Sequence, residues 1–324
     1  MDRHPQNPIL TRTDIPDIPP RIVDPTSVFN PGAVKYDGGY QLLLRVQNRG
    51  RETFILPAYS RDGVNFSVSN CPVVLPGIEQ LAEKVYHIYD PRITQLEDSY
   101  YIMLAMDMER GCRLGLARTA DFQTYDFLGV VSQNDVRNGV LFPERIGDRY
   151  LRLDRPNQVE YRGGVTSGSE IILSESEDLL EWQTVKPLLS GRLHYWDEMI
   201  GSGPPPVKTS DGWLHLYHGI ARHLESVFIY QVGVVLLDLE EPGMVLQRGR
   251  YNILEPRGSY ELAGQVPCGV CPGGMIVETI DVDGFALPES EVKVYYGAAD
   301  TVVGLATTTI SRLLEACYDP ERED

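Results

Sequence analysis

Cysteine is scarce in this sequence. Five residues, Cys71, Cys112, Cys268, Cys271 and Cys317, are odd in number and scattered, so they frame no disulfide-stapled fold. They read as reduced thiols of a cytoplasmic protein. Only Cys268 and Cys271 form a Cys-x-x-Cys pair, and no second pair of ligands at suitable spacing accompanies it, so no metal site is expected. Positive charge is short as well: 29 Lys+Arg stand against 46 Asp+Glu, a formal net charge of −17. That balance argues against nucleic acid or an anionic membrane surface as partner, since both are bound through surplus Lys and Arg. No stretch approaches the ~18 apolar residues of a membrane span. The longest apolar run, Val232 to Leu237, ends at Asp238 and reads as a buried strand. The N-terminal MDRHPQNPIL has no apolar h-region, so no secretory signal is read. Long helical periodicity is missing too. A short C-terminal helix over Thr309–Cys317, with Ile310, Leu313 and Leu314 at helical spacing, is the best candidate.

What remains is a series of short β-branched and aromatic runs bounded by turn residues, an all-β pattern. The turns repeat. Ser60-Arg-Asp62, Thr119-Ala-Asp121 and Ser176-Glu-Asp178 are each followed by an aromatic four residues after the Asp (Phe66, Tyr125, Trp182), and Asp238 marks a degenerate fourth copy. Successive aspartates are 59, 57 and 60 residues apart. Five apolar strands recur upstream of such turns: 39–45, 99–105, 148–153, 212–218 and 291–297. A period near 58 gives about five units, each the size of a four-stranded sheet that cannot bury both faces alone. The expected architecture is a five-bladed β-propeller occupying 1–324 as one catalytic domain. Its axial channel would collect residues from the inner strands, taken here as these five, and from the loops at one end.

Several polar residues fall at the ends of those strands. Asp90 stands before Pro91, which fixes the turn and biases Asp90 toward an extended backbone. Arg137, Asn138, Arg155, Lys208 and His218 place four cationic or titratable groups and an amide at corresponding strand ends. In an acidic chain such a set suggests an anion pocket, because guanidinium forks match phosphate oxygens and an ammonium adds a point charge.

The segments Val28-Phe-Asn-Pro-Gly-Ala33, Asp90-Pro-Arg-Ile93, Val140-Leu-Phe-Pro-Glu144, Gly201-Ser-Gly-Pro-Pro-Pro-Val-Lys-Thr209, Tyr217-His-Gly219 and Tyr296-Gly-Ala-Ala-Asp-Thr-Val-Val-Gly-Leu-Ala306 together resemble glycoside hydrolase family 130, the family of the β-mannoside phosphorylases. The resemblance covers nearly the whole chain and implies a five-bladed propeller. It implies inverting phosphorolysis, with Asp90 protonating the glycosidic oxygen through the mannosyl 3-hydroxyl while phosphate attacks the anomeric carbon and leaves as α-mannose 1-phosphate. By the same resemblance Arg137, Asn138, Arg155, Lys208 and His218 hold phosphate, and Asn30, Arg45 and Asp300 hold the sugar. Inorganic phosphate is then the co-substrate and no other cofactor is implied. Phosphate is already anionic and needs positioning rather than deprotonation, whereas an inverting hydrolase needs a second carboxylate to activate water.

Two alternatives follow from the same residues. A hydrolase of β-mannosides would require such a carboxylate, for which Glu160, Glu198 and Glu225 are the candidates. A non-catalytic glycan-binding propeller would require neither turnover nor phosphate. Loop aromatics Tyr86, Tyr89, Tyr195 and Trp196 are candidates to stack on sugar faces. The partners implied are a small oligosaccharide and phosphate. Propeller enzymes often associate, so a homo-oligomer is compatible with the sequence, which fixes neither oligomeric state, linkage nor leaving sugar.

Overall fold

The computed structural model describes residues 1–157, 168–222 and 228–318. Its strands form five antiparallel sheets, the five blades of a β-propeller. An N-terminal strand, β1 (Asp2–Arg3), precedes the first blade. Blade one is β2 (Ser27–Tyr36), β3 (Gly39–Gln47), β4 (Thr53–Ser60) and β5 (Ser67–Val68). Blade two is β6 (Val85–Leu96), β7 (Ser99–Met108), β8 (Gly111–Thr119) and β9 (Asp126–Val130). Blade three is β10 (Val136–Leu141), β11 (Tyr150–Pro156), β12 (Glu170–Ser176) and β13 (Gln183–Ser190). In blade four the first strand is split into β14 (Met199–Ser202) and β15 (Val207–Thr209), both paired to β16 (Gly212–Arg222), with β17 (Phe228–Leu237) and β18 (Val245–Arg248) outside. Blade five is β19 (Val270–Val277), β20 (Glu291–Ala298) and β21 (Val302–Thr309), and β1 completes it by pairing Asp2 with Thr307.

That closure explains why the turn motif occurs four times and not five. The copies lie between the third and fourth strands of blades one to four. In each, the Asp carboxylate accepts two backbone amides, for example Val64 and Asn65 onto Asp62 at 2.9 and 2.8 Å, and Glu240 and Glu241 onto Asp238 at 2.9 and 2.8 Å. Blade five draws its fourth strand from the N-terminus and has no such turn. Its third strand runs instead into a helix, α1 (Ile310–Cys317), capped by Thr309 Oγ1 accepting from the Arg312 amide at 3.3 Å.

The continuous apolar strands follow from burial on both faces. Leu42 and Leu44 of β3 join the cluster against blade five (Tyr295, Val303, Leu305), while Leu43 between them joins Ile93, Ile102 and Leu104 of blade two. The same alternation places Leu214 and Leu216 against blade five but Trp213 and Tyr217 against blade three. Because side chains alternate with a period of two, a strand wedged between two neighbours is apolar at every position. Five such clusters, one per interface, close the ring.

The five strands expected to be innermost are the second strands of their blades: β3, β7, β11, β16 and β20. The strands facing the axis precede them and carry Asn30, Asp90, Arg137 and Asn138, while Arg45, Arg155 and His218 come from second strands.

Candidate active site

The innermost strands share one irregularity. In β2, β6 and β10 two residues oppose one on the partner strand: Asn30-Pro31 between Phe29 and Gly32, Asp90-Pro91 between Tyr89 and Arg92, Asn138-Gly139 between Arg137 and Val140. The first residue of each bulge is left-handed, with φ of 44° at Asn30, 51° at Asp90 and 52° at Asn138. Asn and Asp tolerate this region better than other residues bearing a side chain. Asp90 is therefore not extended, as its proline neighbour suggested; the bulge sets its backbone. Blade four breaks the strand at Gly203–Pro206, and blade five inserts Gly273. Bulges re-aim side chains, and here they turn three polar residues into one pocket.

The ladder level just before the irregularity in blades one to three pairs Phe29 with Arg45, Tyr89 with Ala105 and Arg137 with Arg155, and one level further back in blades four and five pairs Gly201 with His218 and Cys271 with Gly297. Of these quasi-equivalent positions, Arg45, Tyr89, Arg137, Arg155, His218, Cys271 and Gly297 line a pocket of about 250 Å³, together with Asn30, Asp90, Asn138 and Asp300 among others. Glycine is required at Gly201: a Cβ there would fall 2.6 Å from His218 Nε2 and 2.7 Å from Asn138 Oδ1.

The pocket has two chemically distinct halves. Blades five, one and two supply Asp300, Asn30, Arg45 and Asp90. Asp90 Oδ1 accepts from Asn30 Nδ2 at 3.0 Å and Arg45 Nη1 at 2.9 Å, while Oδ2 takes part in neither bond. The Arg45 guanidinium lies between the rings of Phe29 and Tyr89, 4.5 and 4.4 Å from their centroids. Burial alone would raise the Asp90 carboxyl, but Arg45, Arg92 and the Asn30 amide outweigh it and hold it below the ordinary carboxylate range. Asp300, in the turn after β20, goes the other way. Burial, reinforced by the charge of Asp90, pushes its carboxyl up to about 6 against the pull of Arg45.

Blades three and four supply Arg137, Asn138, Arg155 and His218. Arg155 is 8% exposed and His218 3%. Burial and the proximity of Arg137 lower the proton affinity of the Arg155 guanidinium. Burial, then Arg155 and Arg92, hold the His218 imidazole neutral at ordinary pH, so it can donate one N–H. Arg137 Nε, Asn138 Oδ1, Arg155 Nε and His218 Nδ1 are buried without a hydrogen-bond partner among the described residues. Buried polar groups are ordinarily satisfied, so four such atoms around one pocket mark it as a ligand site.

Lys208 is not brought to this pocket. The Pro204–Pro206 break carries it onto β15, beyond the level of Ser202, where Nζ pairs with Glu144 Oε1 at 2.8 Å and lies 4.5 Å from the Phe285 centroid. It lines a different groove of about 430 Å³ with Val34, Ile93 and Ile276. Its expected phosphate role is corrected on that ground, and the described residues lining the active pocket include no lysine. Glu198 does not line the pocket either, and Glu160 and Glu225 lie outside the described residues. Among the proposed aromatics only Tyr89 reaches the pocket. Trp196 stacks on Tyr217 with centroids 5.9 Å apart, Arg192 lies 4.4 Å over Tyr195, and Tyr86 is 54% exposed.

Sequence reasoning did not single out Asp107, Tyr230 and Cys271 for this pocket, nor Arg92 behind it. Asp107 Oδ1 accepts from Tyr89 Oη at 2.6 Å and faces Arg137 Nη2 at 3.3 Å. Tyr89 holds the same pre-bulge position as Arg137, and Cys271 lies one level before Pro272, the last residue ahead of the blade-five irregularity, a signal visible only once the innermost strands are aligned.

The comparisons with known proteins agree with this geometry. A family model described as β-1,4-mannooligosaccharide phosphorylase matches residues 1–319. The chain is 30% identical over 320 residues to the β-1,4-mannooligosaccharide phosphorylase of Ruminococcus albus, covering 97% of this chain and 89% of that one. It is 31% identical over 291 residues to the 1,2-β-oligomannan phosphorylase of a Thermoanaerobacter species, covering 86% and 89%. The solved β-1,2-mannobiose phosphorylase of Listeria innocua, in complex with β-1,2-mannobiose, superposes with a TM-score of 0.81 at 26% identity over 98% of both chains. With its five blades, its divided pocket and a match along almost its whole length, the chain belongs to glycoside hydrolase family 130.

Proposed function

We propose that the protein is an inverting phosphorylase of β-mannosides, cleaving manno-oligosaccharides with inorganic phosphate to give α-mannose 1-phosphate. The observation that carries this reading is the division of one pocket between an acid half and an oxyanion half. Asp90 serves as the acid. Held by Asn30 and Arg45 through one oxygen, it presents the other to a mannosyl hydroxyl. Its proton passes to the 3-hydroxyl while that hydroxyl gives its own to the glycosidic oxygen, so the bond from C1 to that oxygen breaks and the shortened saccharide leaves neutral. A phosphate oxygen, positioned by Arg137, Asn138, Arg155 and His218, forms the new bond to C1 from the opposite face. Pre-placed donors stabilise the developing charge without reorganising, and holding both reactants removes much of the entropic barrier. Asn30, Arg45 and Asp300 orient the sugar.

The relatives carry names for both β-1,4- and β-1,2-linked substrates, so the proposal is confined to β-mannosides. The whole chain, 1–324, is taken as one catalytic unit, because every blade adds a residue to the pocket lining. Five free thiols support a reducing compartment, and no helix among the described residues is long and apolar enough to cross a membrane.

The test is incubation with β-1,4- and β-1,2-mannobiose, with and without phosphate. Mannose 1-phosphate forming only with phosphate is expected. Free mannose released without phosphate would indicate hydrolysis, and no product would leave a binding module. Asp90→Asn should keep the fold and lose about 10²- to 10⁴-fold in kcat, the usual contribution of a positioned acid. Full activity in that variant would overturn the assignment.

A further inference from the structure

Arg92 is among the largest fully buried side chains of the protein, at 1% exposure, and it does not line the pocket. It is the first residue to rejoin the β6–β7 ladder after the bulge that holds Asp90, paired with Met103. Its Nε donates to the Gly203 carbonyl at 2.9 Å and its Nη1 to the Pro91 carbonyl at 3.3 Å, while Nη2 is buried without a partner among the described residues. No carboxylate among the described residues lies within ion-pair distance of it. Arg45, by contrast, bonds Asp90 directly.

A buried guanidinium bonded only to carbonyls is expensive: desolvation costs several kcal/mol per ion unless a compensating charge is near. A carboxylate whose charge Arg92 balances is Asp90, across the bulge. Its carbonyl anchors are Pro91, inside that bulge, and Gly203, at the break of the blade-four inner strand. The side chain thus ties the two irregularities that shape the acid half and the oxyanion half.

We propose that Arg92 is a positioning residue of the reaction: a buried cation that fixes the Asp90 bulge and balances the acid's carboxylate from behind, without touching either substrate. The proposal rests on Asp90 being the acid. The groups facing Asp90 from the packed elements are Asn30 of β2, Arg45 of β3, His218 of β16, Cys271 of β19 and Asp300 after β20, and His215 of β16 faces Arg92. His215 and His218 are both held neutral by burial and the nearby arginines, so Arg45 and Arg92 are the cations that dominate at Asp90.

The test reads the pH dependence of kcat/KM for mannobiose at saturating phosphate in the wild type, Arg92→Gln, Arg92→Lys and Asp90→Asn. An essential acid makes the rate fall with rising pH above its own midpoint. Arg92→Gln should move that falling limb up by at least about half a pH unit, the expected sign when a nearby cation is lost. Arg92→Lys, which keeps the charge, should leave the limb in place and retain kcat within about tenfold. A purely structural arginine would lower activity without moving the limb. The proposal fails if folded Arg92→Gln shows an unmoved limb, or if Arg92→Lys displaces it. Should the glutamine variant not fold, Arg92→Met, which also removes the charge, takes its place with the same expected and refuting outcomes. A fully active Asp90→Asn would instead overturn the choice of acid, which separates the two failures.

Discussion

Arg155 gives the sharpest test of the oxyanion half. It is 8% exposed, its Nη2 donates to Asn157 Oδ1 at 3.1 Å, and its Nε has no partner. Replacing it by Met keeps most of the buried volume and removes the charge. A hydrogen bond to a charged group contributes about 1.5–3 kcal/mol, and each 1.4 kcal/mol is tenfold, so phosphate KM should rise roughly 10- to 150-fold. Mannobiose KM should hold within about twofold, because the proposed function takes the sugar contacts from blades five, one and two. Stability should move in the opposite sense. Arg155 is buried beside Arg137, and the two cations repel, so Arg155→Met should not lower Tm in phosphate-free buffer. Initial rates over a two-substrate grid, with thermal melts, measure all three quantities. Equal rises in both KM values, or a collapse of Tm with phosphate KM unchanged, would refute the reasoning.

The correction at Lys208 is testable by the same assay: Lys208→Met should leave phosphate KM within about twofold, since its ammonium is committed to Glu144 outside the pocket. Burial pushes the Asp300 carboxyl up to about 6, so under the proposed function its acceptor capacity for sugar hydroxyls is lost as pH falls through that value. Mannobiose KM should therefore rise below about pH 6 in the wild type, and Asp300→Asn should be flat there and weaker at pH 8. A carboxyl whose folded pKa is raised stabilises the fold below its unfolded pKa and ceases to as pH rises through the folded one. Asp300→Asn should accordingly raise Tm more at pH 8 than at pH 5, and an unchanged difference would contradict the burial argument.

Much of the fold was legible because the outer turns repeat at nearly constant spacing, 59, 57 and 60 residues, and their Asp side chains form the same backbone contacts each time. The site was legible only where a motif named the residue. Its equivalent positions, 29, 89, 137, 201 and 271, are 60, 48, 64 and 70 residues apart, because the loops leading to the innermost strands differ in length. Irregular spacing hid the equivalence of Tyr89, Arg137 and Cys271. Lys208 misled for a related reason: a cation after three prolines looks rigidly placed, but the break displaces it along the channel instead of fixing it at the ring of polar residues. Arg92 was invisible because a buried cation has no sequence signature apart from the charge it compensates. The closing strand, Asp2–Arg3, is two residues long, too short to register as a strand.

The chain's charge acquires a second meaning once the pocket is known. A net charge of −17 would seem to disfavour a phosphate-using enzyme, since the second substrate is an anion. Over a Debye length of about 8 Å at physiological salt, however, exterior carboxylates act weakly on a small ion, while charges inside a low-dielectric pocket are screened far less. On the proposed function, the potential phosphate meets is set by Arg137, Arg155 and Arg45 in the pocket lining and by Arg92 behind it. A long polyanion cannot take advantage of this, because most of it would lie against the acidic exterior. On the proposed function, the distribution lets an inorganic anion reach a locally cationic pocket in an acidic protein. Replacing Arg137 or Arg155 should weaken phosphate far more than any exterior charge reversal strengthens it.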